Sequence, residues 1–177
     1  MSHHDHAATE RAPQDIADLP KAEVARFDAE IPAIVGRYPP DHKEAAMLAG
    51  LRLAQGIFGW LSPAAQKLVA DRLGAPAVRA EEVATFYVMY HTHPVGRHVV
   101  EVCTNVSCSL TGGFDIFEHL KKKLGVENGG TTRDGRITLR QVECLGSCAT
   151  APAMLVDEEM HERLTVADVD RILGGLS

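Results

Sequence analysis

A chain of 177 residues with 45% apolar and 24% charged side chains is long enough to bury a sizeable core, as one domain or two small ones. Its formal charge of −6 argues against a nucleic-acid binder, which needs a clustered excess of Lys and Arg; the one concentrated basic run, Lys121 to Lys123, reads as a solvated helix end. No window reaches the roughly eighteen consecutive apolar residues of a membrane span, and the start MSHHDHAATER is not a basic stretch followed by an apolar one, so a soluble, unexported protein is expected.

Residues 1 to 20 show no apolar period and read as a mobile tail, in which His3, His4 and His6 belong to a frayed terminus and carry no role. From residue 21 to about 92 the pattern is that of a helical bundle. Val24, Phe27, Ile31, Ile34 and Tyr38 recur at spacings of three and four and share a face, and Pro32 is expected to kink or divide the run. Tyr38-Pro39-Pro40 is a break, after which Asp41 can cap a second helix with Met47, Leu48, Leu51, Ala54, Ile57 and Phe58 on its buried side. Ser62-Pro63 starts a third helix and Gly74 stops it, and a fourth is expected over Ala80 to Met89. None is long enough to stand alone, so they should pack together, with Trp60 and the apolar stripes as core.

His93-Pro94-Val95-Gly96 has the composition of a linker, and a second domain is expected over 97 to 177. His98 to Val102 and Ile137 to Val142 read as strands. Between them Phe114, Phe117, Leu120 and Leu124 mark a helix closed by Gly125, followed by a loop at Asn128-Gly129-Gly130. Strand, helix and strand at this spacing predict a parallel pair with a right-handed crossover. A short strand at Ala153 to Val156, a hairpin partner near Met160 to Leu164 and a helix from Val166 to Leu173 complete the order β-α-β-β-β-α of a thioredoxin-like domain. The expected class is α+β overall: a helical bundle followed by an α/β domain with a four-stranded mixed sheet.

All four cysteines fall in two short stretches of that second domain, VCTNVSCSLTGG at 102 to 113 and VECLGSCATAP at 142 to 152. Cys103 is expected to end the first strand and Cys144 the second, with Cys108 and Cys148 following in loops. Two adjacent parallel strands then deliver four thiols to one sheet edge, at the carboxyl ends where α/β sheets bind ligands. Small and polar neighbours such as Thr104, Asn105, Gly112, Gly113 and Gly146 let backbone N–H groups approach sulfur, and a helix beginning near Gly113 can aim its positive end there. There is no C-x-x-C redox pair, a reducing compartment disfavours disulfides, and His91, His93, His98 and His119 bear no fixed relation to any one thiol. A four-cysteine zinc site and a [2Fe-2S] cluster both fit, and spacing alone does not choose between them.

The motifs C-T-N-V-S-C-S-L-x-G-G and E-C-L-G-S-C-x-x-A-P, with E-E-V-A-T-F-Y-V-M-Y at 81 to 90, resemble the 24 kDa-type subunit of NADH:quinone oxidoreductase (respiratory complex I). The resemblance runs from about Ala22 to Leu173 and takes in Gly59-Trp60-Leu61 and the E-R-L-T before the last helix. It implies one [2Fe-2S] cluster, with Cys103 and Cys108 on one iron and Cys144 and Cys148 on the other. It also implies docking to a flavoprotein subunit that holds FMN and oxidises NADH, in a peripheral arm on the cytoplasmic face of the membrane. This chain has neither a G-x-G-x-x-G after a strand nor a P-loop, so FMN and NADH should be bound by the partner and no catalytic residue is assigned here. The small subunits of NAD-linked formate dehydrogenases and bidirectional hydrogenases share the module, a zinc-stabilised interaction domain is the rival of another class, and the isolated chain can also pair with itself.

Four further features stand out. Glu101 and Glu143 would disfavour cluster reduction if they lay close to it, but read first as solvated strand-end charges. Pro152 stands where thioredoxin-like folds often carry a cis proline, although trans is the default. Thr85-Phe86-Tyr87 read as helix core or as packing between domains ahead of a seam to the partner.

Overall fold

The computed structural model describes residues 12–176, so His3, His4 and His6 lie outside the described residues. The chain divides into two compact units, Met1–Pro94 and Val95–Ser177.

The first unit is helical. Helix α1 spans Lys21–Val35, α2 Met47–Phe58, α3 Pro63–Leu73 and α4 Ala77–Phe86. Each hides one face in a shared core whose completely buried members include Phe27, Leu51, Leu61, Leu68 and Val69. The Arg72 guanidinium makes a two-pronged bond to Asp28, at 2.7 and 3.0 Å, tying α3 to α1 and holding the Asp28 carboxyl below its usual range. Helix α3 begins and ends as its sequence requires: Ser62 Oγ accepts the Ala65 N–H at 3.2 Å, Pro63 takes the first helical position, and Gly74 closes the helix at φ 68°.

Several expectations are corrected. Residues 12 to 20 are not a free tail: Ile16–Asp18 forms a 3₁₀ turn, Leu19 is buried in the core, and Ala64 N–H bonds to the Pro13 carbonyl at 3.1 Å. Helix α1 passes through Pro32 undivided, the burial of Phe27 and Ile31 on the turns before it outweighing one missing N–H. Asp41 caps nothing; a 3₁₀ stretch over Pro40–Ala46 intervenes, and α2 starts at Met47 with Leu48 on its exposed edge. Helix α4 starts and stops three residues early, because Pro76 serves as its entry residue and Tyr87 is already extended. Phe86, Tyr87, Val88 and Met89 are therefore exposed rather than core, while Tyr90 turns back inside and donates its hydroxyl to the Leu48 carbonyl at 2.7 Å. Among the described residues no helix is long and apolar enough to cross a membrane.

The second unit is built on a four-stranded mixed sheet of order β2-β1-β3-β4, from β1 His98–Cys103, β2 Ile137–Val142, β3 Met154–Val156 and β4 Glu159–His161. The central strand β1 runs parallel to β2, with Cys103 opposite Val142, and antiparallel to β3. Three helices accompany it: α5 Val106–Leu110, α6 Gly113–Leu124 and α7 Val166–Gly175. Phe117 and Leu120 of α6 and Val169 and Leu173 of α7 share a core with Val100, Val102, Leu139 and Met154 of the strands. Asp170 of α7 receives both His119 and Lys123 of α6 at 2.7 Å, so Lys123 joins two helices rather than lying free at a helix end. The loop after α6 does more than turn: Gly129 N–H bonds to the Leu139 carbonyl at 2.7 Å and Leu139 N–H to that of Gly130 at 3.0 Å, which covers part of the outer edge of β2.

Helix α7 is started by a reciprocal cap. Thr165 Oγ1 accepts the Asp168 N–H at 3.2 Å while the Asp168 carboxylate takes the Thr165 N–H at 3.1 Å and hydroxyl at 2.6 Å. Those bonds, with Arg171 at 2.7 Å, pull the Asp168 carboxyl down to about 2. A depressed folded value contributes stability present above the ordinary Asp value of about 4 and lost as pH falls through the folded one. Denaturant melts between about pH 4 and pH 2 should therefore show a shallower acid loss in Asp168→Asn than in the parent; identical slopes would remove Asp168 from the acid response.

Candidate metal centre

Strand β1 delivers Cys103 as its last residue, held between its two neighbours. Cys103 N–H bonds to the Ala153 carbonyl at 3.1 Å, and the next N–H, Thr104, to the Val142 carbonyl of β2 at 3.1 Å. The chain then turns into α5, with Asn105 as entry residue, and α5 carries Cys108. Gly112, at φ 99°, reverses the chain into α6, whose first residue Gly113 lies against the backbone of both cysteines. A Cβ at Gly113 would meet the Cys103 carbonyl oxygen at 2.7 Å and the Cys108 carbonyl oxygen at 2.8 Å. Only glycine fits there.

The second pair approaches from β2. The strand ends at Val142, two residues before Cys144, which corrects the expectation that Cys144 itself ends it; the ladder stops where the chain must bend toward β1. Gly146, at φ 82°, bends the loop so that its N–H points back to Cys144 Sγ at 3.3 Å. Cys148 opens a 3₁₀ turn over Cys148–Thr150. That turn packs against α5, bringing the two stretches together, and Thr150 Oγ1 is tied to the Glu162 carboxylate at 2.6 Å. Cys108, expected in a loop, is helical because Asn105 starts a turn of helix as soon as β1 ends.

The thiols differ in environment. Cys103 and Cys108 are 3% and 2% exposed and form a small apolar cluster with Ala153, against which Leu145 and Ala151 pack. Cys144 and Cys148 are exposed, and all four are free thiols. Cys103 Sγ lies 3.6 Å from the Glu143 carbonyl, beside Cys144. Burial pushes the Cys108 thiol up to about 11, the adjacent Cys103 thiol adds to this, and the Ala153 N–H opposes it. A thiol binds a metal ion as the thiolate, so any ligand role for Cys108 would require the loss of a proton that burial holds tightly.

Around these residues the structure sorts the other positions singled out in the sequence. Glu101 is not a solvated charge: it is largely buried, its carboxyl raised by burial, and Arg140 across the β1–β2 ladder meets it at 2.9 Å. Glu143 is exposed. The Ala151-Pro152 bond is cis, against the trans default for prolines. His98 and His119 are engaged with Asp157 and Asp170, at 2.8 and 2.7 Å. Gly146, one of the small residues expected to let the backbone approach sulfur, does so, whereas the Ala153 N–H at Cys108 has no signature in the sequence, because it comes from a segment 45 residues away.

This donor set suits a [2Fe-2S] cluster. The two cysteine pairs, brought together where α5 meets the Cys148 turn, match a two-iron cluster, which asks for two thiolates on each iron. The Gly113 cradle lets the chain pass close beneath Cys103 and Cys108, and backbone N–H groups face sulfur on both sides of the site.

Fold and site together define a small electron-transfer protein of the iron–sulfur kind, and the comparisons with known proteins agree: the thioredoxin-like [2Fe-2S] ferredoxin family matches residues 31–177, and the chain belongs to that family. Its cofactor is one [2Fe-2S] cluster. More particularly, the chain is similar to the E subunit of NADH-quinone oxidoreductase. It is 40% identical to that of Rickettsia typhi over 141 residues, 79% of this chain and 83% of that protein. It is 38% identical to that of Mycobacterium tuberculosis over 153 residues, 86% and 60% of the respective lengths. The fold recurs in an NAD+-reducing [NiFe]-hydrogenase, with a TM-score of 0.62 at 22% identity; the match covers 71% of this chain and 22% of the hydrogenase chain, and is a likeness of fold alone.

Proposed function

We propose that this chain is the electron-transfer subunit of an NADH-quinone oxidoreductase, passing single electrons between its cluster and the FMN of a partner flavoprotein subunit that oxidises NADH. The observation that carries the reading is the meeting of two cysteine pairs at one sheet edge, one pair buried and one exposed. Cys103 and Cys108 hold one iron, and Cys144 and Cys148 the other. When bound, the cluster supplies one-electron chemistry that a nicotinamide, which moves a hydride, cannot. The chain's own part is to hold the four thiolates, donate the Gly146 and Ala153 N–H groups to sulfur, and shield one side of the site with Ala151, Ala153 and Leu145. The helical bundle over 21 to 92 and the cluster domain over 97 to 177 then act as one peripheral subunit on the cytoplasmic face of the membrane. The 40% identity to a quinone-reducing relative favours that host over a formate dehydrogenase or a hydrogenase.

Anaerobically purified protein should be coloured, contain two irons per chain by the cluster's stoichiometry, and give an EPR signal on reduction. NADH should reduce it only when the flavoprotein subunit is added. A colourless chain carrying one zinc and no iron would sink the reading, and direct reduction by NADH would contradict the division of labour.

A further inference from the structure

The face of the second unit that carries the exposed cysteines also carries exposed apolar side chains that the fold does not use. Val106 and Leu110, four residues apart on α5 and so on one side of it, are 70% and 83% exposed, and Phe114 in the first turn of α6 is 46% exposed. Helix α5 holds Cys108 and packs against the turn that begins at Cys148, so this apolar group adjoins the site. The same segments carry the exposed carboxylates of Asp115, next to Phe114, of Glu143, next to Cys144, and of Glu162, tied to the Cys148 turn through Thr150, with Arg163 as the basic counterweight. Four thiolates around two irons add further negative charge to the same edge.

We infer that Val106, Leu110 and Phe114 form the docking contact for the electron-exchanging partner, which must present an apolar pocket rimmed by Lys or Arg. The inference rests on the function proposed above. Charge decides between occupants: a second copy of this chain, related by a two-fold axis, would bring the same acidic rim and the same negative cluster against itself. A basic-rimmed partner gains where a copy loses. The arrangement also suits electron transfer, since docking over α5 covers the edge where the exposed Cys144 and Cys148 lie.

The test uses the full-length, cluster-loaded chain and the FMN-binding flavoprotein subunit of the same source, with binding followed by calorimetry. Leu110→Glu and Val106→Glu should keep the parent's iron content and EPR signal, which shows the site intact, while Kd rises about tenfold or more. Parent binding should weaken with added salt, less steeply in Glu143→Gln. Variants with intact clusters and parental Kd overturn the docking contact and leave the proposed function standing. A parent chain that ignores the flavoprotein overturns both. A parent chain that dimerises, with Leu110→Glu monomeric, gives this face to a second copy and overturns the inference without touching the iron–sulfur assignment.

Discussion

Replacing Cys108 by Ser is expected to abolish cluster assembly: iron per chain falls to background and the visible absorption disappears, while far-UV circular dichroism stays at the parental level. The expectation combines two observations. Cys108 is almost wholly buried beside Cys103, so no exposed side chain can swing in as a substitute ligand. Its surroundings also tolerate the replacement, because a serine hydroxyl fits the same space and can accept the Ala153 N–H. The fold should survive and the cluster should not. Iron content at parental level would take the Cys108 sulfur out of the required ligand set. Cys144→Ser is expected to fail in the same direction but less completely, since Cys144 is exposed and water can complete the coordination there.

Gly113→Ala should destabilise the protein by about 1–3 kcal/mol and lower cluster occupancy in parallel. In an ordinary helix the same change stabilises, by up to about 1 kcal/mol. Here the added methyl would lie 2.7 and 2.8 Å from the Cys103 and Cys108 carbonyl oxygens, and backbone held by β1 and α5 cannot yield as a flexible side chain does. Overpacking therefore exceeds propensity. Gly56→Ala in α2 is the control: it is exposed, with nothing within 4 Å of the new methyl, and should raise stability with no effect on iron. Urea denaturation of both variants with iron assays alongside checks the pair; a stabilised Gly113→Ala would mean the two cysteine segments do not depend on that close approach.

Much of the fold was legible because its signals are local. Ser62-Pro63 and Gly74 marked α3 correctly, since a cap and a left-handed stop act over three or four residues. The β-branched run at β1, the strand at β2 and Gly125 after α6 were read for the same reason, and the parallel pairing followed from the length of the crossover. Misreadings came where distant contacts overrule local preference. Residues 12 to 20 have no apolar period, yet Leu19 and the Pro13 carbonyl find partners on the bundle. Pro32 breaks helices in general, but here Phe27 and Ile31 anchor the helix in the core as it reaches that residue.

At the site, the sequence by itself determined which thiols are candidates for ligands and how they are grouped. Four cysteines in two short segments at the ends of two strands are a chemical statement that needs no coordinates, and the motif resemblance chose iron over zinc. Only the tertiary structure decided how those thiols differ. Cys103 and Cys108 are buried with Ala153 under Ala151 and Leu145, while Cys144 and Cys148 lie exposed in the segment leaving β2. Likewise the Ala153 N–H at Cys108 and the burial of Glu101 against Arg140 arise between segments far apart in the chain. Ligand chemistry is carried by residue type, so it is written in the sequence; solvation and field are set by which segments exclude water from which sulfur, and that exists only once the chain has folded.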